Sequence, residues 1–386
     1  MNILDGNFNV RVVKFQELDE RTISAWESLE ERALECNAYL SPQFVIPAMQ
    51  HMGDKKEVED TIFVFVENTN AIGSDLIGVG IFVRSPGVRA FPLPHLRAFY
   101  PLYSSISGLL VDRSETEEVL HAFFSFFCDK SVPWHGVQFE DRLFEGPLAK
   151  LMNAVASDYG VFWHEYSNYS RAVFTPNDGG EKYLQSYFSS RRLKEFRRLR
   201  RRLEEHGEVK FEIYSGEECD KKKVERFLEL EHSGWKQDRE TSLRSQQTHE
   251  NFFREMIDGF REKDRLFFTE LSINGHAIAS TVNLISGNTG FAFKIGWHND
   301  YAKMSPGILN EVEFIRNAPD LCGGLSYIDS GAVEGSFIDQ LWKGRYVISS
   351  GFFGTTQIGE ILLSSVDRLR NVKNRFSSLW NSAQQP

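Results

Sequence analysis

The sequence lacks the motifs that usually identify a catalytic centre. It contains no G-x-S-x-G nucleophile motif, no phosphate-binding P-loop, no H-E-x-x-H zinc motif and no G-x-G-x-x-G before a helix. Its ten histidines are dispersed, and none forms a metal-ligand pattern with cysteine or aspartate. Hydrolase, NTPase, zinc-enzyme and dinucleotide-enzyme functions are therefore disfavoured, and we expect no metal. The chemistry that remains depends mainly on positioning and on backbone hydrogen bonds.

Cysteine pairs, a signal peptide and long apolar runs are also absent. The four cysteines lie far apart with no C-x-x-C pair, which is typical of a protein kept in a reducing compartment. The first residues, MNILDGNFNV, have neither the charged nor the apolar region of a signal peptide. No apolar run approaches the ~20 residues needed to cross a bilayer. We therefore expect a cytoplasmic protein without a transmembrane segment.

Positive charge is scarce relative to negative charge. The net charge is −10, which disfavours a DNA-binding protein because nonspecific phosphate binding needs a basic surface. Apolar and charged fractions of 41% and 25% are those of a globular chain, and 386 residues are enough for two domains.

One run of predicted elements occurs twice. Residues 10–173 predict strand, two helices, three strands, helix, strand, helix and strand, and residues 209–355 predict that order again. A unit copied in this way indicates two equivalent α/β domains rather than one large sheet. The predicted parts are an N-terminal domain at 1–176, a basic connecting helix at 177–208, a C-terminal domain at 209–356, and a C-terminal amphipathic helix with a tail at 357–386.

The C-terminal helix is predicted from an apolar stripe that begins at Ile358. Its other side is basic, with Arg368 and Arg370 among the cations. We expect it to dock on the second domain, and the alternative is a helix that binds a membrane surface or a partner.

A helix start in the second repeat is the strongest local candidate for a ligand site. The strand GFAFKIGWH runs into a loop, after which Ser305 is expected to cap a helix with Pro306 and Gly307 in its first turn. Proline at the first helical position beside a small residue leaves free N–H groups, which suit a pyrophosphate. A helix start without a ligand would have the same residues. The place of this helix after the fourth strand favours cofactor binding by Ser305, Pro306 and Gly307.

A strongly basic helix is predicted between the two repeats. Eight cations fall within twelve residues: Arg191, Arg192, Lys194, Arg197, Arg198, Arg200, Arg201 and Arg202. Leucine and phenylalanine recur between them at helical spacing, so the helix is amphipathic. Such a run is either a solvated face or a contact with the phosphates of a cofactor or substrate. Arg197 and Arg198 are our cofactor-binding candidates.

Polar residues in aromatic surroundings are the third set of candidates. Strand and helix ends in the second repeat carry five residues that are expected to bind substrate: Trp235, Lys236, Lys294, Trp297 and Lys343. Asp329 ends the fifth strand, where a carboxylate could take a proton from an amine. The alternative for Asp329 is a cap or turn residue before Gly331.

Several of these segments resemble a known family. NGHAIASTVNLISG, SPGILNEVEFI, YIDSGAVEGSF and the nearby LWK are similar to the BioF2-like acetyltransferase domain of the GNAT superfamily, which is found in CelD-like acyltransferases. The resemblance implies an α/β fold with mixed sheets, arranged as tandem GNAT-like domains and shared with Fem-type aminoacyl transferases. It also implies N-acyl transfer from acetyl-CoA or another acyl-CoA, without a metal. The Q/R-x-x-G-x-G/A loop of single-domain GNAT enzymes is absent from this sequence.

We therefore expect a cytoplasmic N-acyltransferase that acts on the amine of a small-molecule or saccharide acceptor. Backbone N–H groups near residues 298–307 would hold the pyrophosphate, and Asp329 would be catalytic. An oligomer is compatible with the sequence. The alternatives are a Fem-type transferase that uses aminoacyl-tRNA and a non-catalytic GNAT-fold binding protein. The Fem-type alternative ranks lower, because those proteins typically insert a long helical arm and the 236–246 segment is short.

Overall fold

The computed structural model describes residues 2–5, 8–69, 75–233 and 241–382, and it describes side chains at 8–69, 75–233 and 241–370. The strands are β1 Asn2–Asp5, β2 Phe8–Val13, β3 Thr61–Asn68, β4 Asp75–Ser85, β5 His95–Ala98, β6 Leu110–Val111, β7 Gly136–Leu143, β8 Trp163–Phe174, β9 Val209–Ser215, β10 Leu266–Ile273, β11 His276–Ser286, β12 Thr289–Trp297, β13 Tyr327–Asp329 and β14 Gly344–Gly354. The helices are α1 Glu20–Arg32, α2 Pro42–His51, α3 Lys55–Asp60, α4 Thr116–Phe127, α5 Pro147–Asp158, α6 Gly180–Tyr187, α7 Ser190–Glu204, α8 Lys221–Glu231, α9 Gln247–Glu262, α10 Pro306–Leu321 and α11 Gln357–Ser382.

The described strands form one mixed sheet. Its order is β1-β2-β3-β4-β5-β7-β14-β8-β13-β12-β11-β10-β9, with β6 beside β4. The last strands of the two repeats have changed places, because β14 pairs with β7 and β8 pairs with β13. The expectation of two separate sheets is therefore wrong. Each repeat's final strand continues the other repeat's sheet and pairs an edge that would otherwise be open. The domain boundaries at 176, 208 and 356 stay a prediction.

Local sequence explains most of the strands. β3 and β10 are rich in β-branched and aromatic residues, and they are buried along most or all of their lengths. The hairpin between β10 and β11 turns at Asn274-Gly275, where both residues have positive φ of 50° and 78°. This is the turn that the Asn-Gly signal predicts.

Three helix predictions differ from the structure. The basic connecting helix is two helices, α6 and α7, because the Ser189 side chain accepts from the Arg192 N–H and starts a new helix. The sequence of residues 334–343 also predicts a short helix, whereas the structure has a 3₁₀ helix at Phe337–Gln340. A helix is likewise predicted over residues 19–38, but α1 ends at Arg32.

The two repeats share a hydrophobic core. Helices α1 and α2 of the first repeat pack against α8 and α9 of the second, and the core between them is rich in phenylalanine. The Phe44 and Phe252 rings lie edge to face with centroids 5.4 Å apart, and Tyr39 and Phe291 meet at 5.6 Å. Such aromatic contacts bury large apolar areas, so the two repeats hold each other in a fixed relation.

The C-terminal helix α11 docks on the exchanged strands β8 and β14. The two ring nitrogens of His164, on β8, lie 2.9 Å from a Glu360 oxygen and 2.6 Å from an Asp367 oxygen of α11. Leu363 packs with Phe91 and Phe352 on that face. The helix thus meets the second domain through β14, as expected, and it also contacts β8 and Phe91 of the first repeat because β14 lies in the first repeat's part of the sheet. In the described part of the chain, no helix is long and apolar enough to cross a membrane.

A buried ionic cluster joins the exchanged strands. Arg171, on β8, is 1% exposed and lies 3.4 Å from Asp141 of β7 and 3.5 Å from Asp329 of β13. The same guanidinium donates to the Ser105 carbonyl oxygen at 2.7 Å. The Arg171 guanidinium therefore links β7 and β13, which are equivalent strands of the two repeats, to the loop that contains Ser105.

We predict that Arg171→Met destabilises the protein by about 3–5 kcal/mol, because two carboxylates would remain close together without their cation. Urea unfolding measures this change. Adding Asp329→Asn should recover part of the loss. Arg198→Met, which removes an exposed cation, should leave the unfolding midpoint unchanged. An Arg171→Met protein as stable as the parent would contradict this role.

Candidate active site

Strands β12 and β13 part soon after they meet, and this opens a cleft in the sheet. They pair in parallel at Thr289–Tyr327, Gly290–Ile328 and Phe291–Asp329. β12 then continues to Trp297, whereas β13 ends at Asp329. We call the resulting gap the β12–β13 cleft.

Two cavities occupy this cleft. The inner cavity has a volume of about 360 Å³ and is lined by residues of β11, β12, α10 and the segment after β13. The helix-start cavity has a volume of about 210 Å³ and is lined by Trp297, Ala302, Ser305, Pro306, Gly307 and Ile308, among others. Ile295 and Phe337 line both cavities, so the two adjoin. The two cavities therefore share a wall.

The start of α10 offers backbone N–H groups to the helix-start cavity. Ser305 has left-handed dihedral angles (φ 51°, ψ 56°), and its side chain makes no capping hydrogen bond. Pro306 is the first helical residue, and the first turn holds no acidic residue. A Cβ added at Gly307 would come within 3.4 Å of Ile295 and Trp297. A side chain at Gly307 would therefore narrow the cavity beside amides that attract anions.

Glu311 places a buried carboxylate in the inner cavity. It is 3% exposed, and burial raises its pKa to about 7 against an opposing hydrogen bond from Thr281. The Thr281 hydroxyl donates to Glu311 Oε1 at 2.7 Å. Asn310 Nδ2 lies 3.2 Å from that hydroxyl oxygen and donates to it. A carboxyl group held in this way can exchange a proton near neutral pH.

Lys294 and residues of the first repeat form the opposite side of the inner cavity. The Lys294 ammonium lies 4.1 Å from the centre of the Tyr103 ring and 3.9 Å from Glu231 Oε1. Tyr39, Ser104 and Ser105 of the first repeat also line this cavity. The site is therefore built from both repeats.

The structure brings only some of the sequence-predicted residues to the cleft. Ser305, Pro306, Gly307, Lys294 and Trp297 line its two cavities. Trp235 and Lys236 lie outside the described residues. Lys343 lies at the rim of the second repeat's core, where its ammonium is near the Phe188 ring and donates to the Gln340 carbonyl oxygen.

The acid and the arginines that we expected at the site lie elsewhere. Asp329 is 2% exposed, where it accepts from the Gly331 N–H at 2.7 Å and faces Arg171. Arg197 lines a different cavity, between α6, α7 and α10. Arg198 is exposed and forms an ion pair with Glu195 at 2.7 Å. Their proposed roles stay predictions that this geometry does not support.

The sequence analysis did not single out Glu311 or Tyr103. A signal for Glu311 was present, because it falls at helical spacing between Ile308 and Ile315 on the apolar side of α10. A carboxylate on such a stripe is unusual. For Tyr103 no local signal exists, because its place depends on how the two repeats pack.

The equivalent helix of the first repeat, α4, is unsuited to an anion. Its first turn contains Glu117 and Glu118, and Glu115 occupies its N-cap position. Three carboxylates at a helix start repel a phosphate. No group of three or more His, Cys, Asp or Glu side chains is placed to hold a metal ion in the ranges that the structure describes.

We predict that Glu311→Gln stabilises the protein more as the pH rises. The pKa of Glu311 is about 7 in the folded protein and near 4.5 in the unfolded chain, so the carboxyl group of the folded protein loses its proton at a higher pH. The contribution of protonated Glu311 to the free energy of unfolding is fully present below pH 4.5 and is lost as the pH rises through about 7. Gln carries no charge, so the variant should gain up to about 3 kcal/mol relative to the parent above neutral pH.

Thermal unfolding from pH 5 to pH 8 measures this difference. Glu217→Gln, which changes an exposed carboxylate, serves as the control and should follow the parent throughout. A Glu311→Gln difference that is the same at all pH values would contradict the raised pKa.

Comparisons with known proteins identify the fold and the domain. Residues 190–343 match the family model of the acetyltransferase (GNAT) domain. The chain is similar in fold to FemX, with a TM-score of 0.55, 10% identity, and coverage of 89% of this chain and 96% of that one. It is also similar to the C-terminal domain (DUF2156) of a protein named as a lysylphosphatidylglycerol synthetase from Agrobacterium fabrum, with a TM-score of 0.50, 9% identity, and coverage of 90% and 95%.

A search of curated proteins found no match. At such low identities the structural likeness shows a shared fold, and the family match shows the domain. The expected GNAT-like α/β fold and the acyltransferase class are confirmed. The chain therefore contains an acetyltransferase (GNAT) domain at residues 190–343, and its overall fold resembles that of FemX.

Proposed function

We propose that this protein transfers an acyl group from acyl-CoA, with acetyl as the expected group, to the amine of a small acceptor. The observation that carries the proposal is the β12–β13 cleft, which joins an anion-attracting helix start to a buried carboxylate through two adjoining cavities. Acyl-CoA carries a diphosphate and, at the end of its pantetheine chain, the reacting carbonyl. A helix start can bind the diphosphate, and a carboxylate can take the proton of the amine that attacks the carbonyl.

The donor would bind along the cleft. The amides at the start of α10 would hold the diphosphate, assisted by the positive end of the helix dipole. The apolar walls of the helix-start cavity, which include Ile295 and Trp297, would exclude water from the chain that carries the thioester. Ile295 and Phe337 mark the passage to the inner cavity, where the acyl group would lie.

Glu311 would accept the proton of the acceptor amine. Its Oε1 atom is held by the Thr281 hydroxyl, and a pKa near 7 lets the carboxylate take a proton and release it again. This role replaces the one that the sequence predicted for Asp329, whose carboxylate is engaged with Arg171. The amine nitrogen attacks the thioester carbonyl, the C–S bond breaks, and the thiol leaves with a proton from the nitrogen.

Trp342 supplies a further reason to expect a ligand. It lines the inner cavity, it is 1% exposed, and its indole N–H has no acceptor among the described residues. Buried donors of this kind are normally paired. An oxygen atom of a bound substrate could supply the missing acceptor.

Acetyl-CoA titration by calorimetry tests the donor site. We expect Gly307→Trp to weaken binding at least about tenfold, because the indole would fill the cavity beside the helix-start amides. Gly324→Trp makes the same change where a Cβ meets nothing within 4 Å, and it should bind like the parent. A parent protein that binds no acetyl-CoA, or a Gly307→Trp variant that binds normally, would contradict the proposal.

Thiol release from acetyl-CoA tests the role of Glu311. We expect kcat/KM to rise with pH to a plateau above about 7, because the base must be deprotonated. Glu311→Gln should lower kcat roughly 10²–10⁴-fold, remove that limb of the profile and leave acetyl-CoA binding intact.

The matched control is Glu313→Gln, two residues along α10, where the carboxylate faces Arg200 and Arg316 outside the cleft. This variant should retain the pH profile of the parent. An unchanged profile in Glu311→Gln would assign the proton transfer to another group.

The same titration distinguishes the acyl-CoA donor from the Fem-type alternative, in which aminoacyl-tRNA is the donor. The FemX-like fold is compatible with it. Tight acetyl-CoA binding that depends on Gly307 favours the acyl-CoA donor. Binding of neither donor would leave a non-catalytic binding protein as the interpretation.

A further inference from the structure

We propose that the acceptor is an amino acid, whose carboxylate is bound by Lys294 while its amine faces Glu311. This inference rests on the proposed function and specifies its substrate class. It depends on the charges around the inner cavity, on the way Lys294 is held, and on a strained residue that the first repeat contributes.

The inner cavity is lined by one cation and one carboxylate. These are Lys294 and Glu311, and the remaining lining residues are apolar or uncharged at neutral pH. A ligand that matches this wall carries one anionic group for Lys294 and one amine for Glu311. An amino acid has both.

Lys294 is held in place rather than free to leave the cavity. Its side chain is 17% exposed, and its ammonium lies over the Tyr103 ring at 4.1 Å. The Lys294 ammonium also lies 3.9 Å from Glu231 Oε1. Glu231 is fully buried, and its other carboxylate oxygen accepts from the Leu243 N–H at 2.8 Å. These neighbours fix the position of the lysine ammonium beside the cavity, which is what recognition of a carboxylate requires.

Tyr103 is itself held in an unfavourable conformation. Its φ is +76°, in the left-handed region that a tyrosine rarely adopts. Its hydroxyl meets His249 Nδ1 at 3.0 Å, and its ring stacks on Phe252 with centroids 6.0 Å apart. Burial, and then the Lys294 charge, lower the pKa of His249, so this neighbour stays neutral. Strain that persists under such contacts is typical of binding sites.

The contribution of the first repeat explains why the chain contains two repeats and one site. Tyr103 belongs to the loop between β5 and β6, yet it forms the wall around a lysine of the second repeat. The first repeat therefore supplies part of the acceptor pocket, while its own helix start at α4 is blocked by acidic residues.

The chemistry balances with these residues. The amino acid's ammonium gives one proton to the Glu311 carboxylate, and the free amine attacks the thioester carbonyl. The C–S bond breaks as the amide bond forms, and the second nitrogen proton leaves with the thiol. Lys294 keeps its charge throughout, so it binds the substrate and takes no part in proton transfer.

An incubation with labelled donor tests the proposal. The protein is mixed with carbon-13 labelled acetyl-CoA and a small-molecule extract of its expression host. Mass spectrometry of the labelled products should find N-acetyl compounds that carry a carboxylate. Lys294→Met should reduce these products at least about tenfold, through KM, whereas Lys294→Arg keeps the charge and should retain most of them. Lys210→Met, which removes an exposed lysine, is the control.

Labelled products that lack an anionic group would overturn the inference, as would Lys294→Met forming the same products at the parent's rate. Calorimetry with acetyl-CoA separates this failure from a failure of the proposed function. Lys294→Met should bind acetyl-CoA as the parent does, because the lysine lies at the acceptor end of the cleft. Tyr103→Leu should weaken acceptor use with the donor affinity unchanged, and a loss of donor affinity there would also count against the inference.

Discussion

The parting of β12 and β13 is the constraint on which the site depends. Three paired residues hold the two strands together, after which β12 continues and β13 stops at Asp329. Unpaired strand edges inside a sheet are costly unless something else fixes them. Here the exchanged strand β8 pairs with β13, and Arg171 binds Asp329 behind the cleft. These contacts hold β13 in place beside the gap, so we interpret buried Asp329 as part of the scaffold.

The two repeats share a fold and differ in chemistry. In the second repeat the α10 start has no acidic residue and opens on a cavity, whereas in the first repeat the α4 start carries Glu117 and Glu118. The first repeat instead packs its α1 and α2 helices into the shared core and extends Tyr103 into the second repeat's cleft. Duplication thus provides a wall of the cleft that a single unit would lack.

The sequence predicted what depends on local spacing. The Asn274-Gly275 turn and the Pro306-Gly307 helix start follow from short patterns, and the structure contains both. The repeated element order is also present, except that a 3₁₀ segment replaces the last helix of the second repeat. The exchange of β8 and β14 could not be predicted. The alternation of apolar and polar residues identifies a strand, but it does not show which strand lies beside it. The contact of Asp329 with Arg171 could not be predicted for the same reason, since the two residues lie 158 positions apart in the sequence. Glu311 could have been identified from the sequence as a carboxylate on the apolar side of α10, whereas no sequence pattern identifies Tyr103.

A crystal structure with coenzyme A bound tests the central claim most directly. The account predicts that the diphosphate contacts the amides of Gly307 and Ile308, that the pantetheine chain passes between Ile295 and Phe337, and that the sulfur points toward Glu311. Coenzyme A bound instead against α7, with its diphosphate on Arg197 and the β12–β13 cleft vacant, would contradict it.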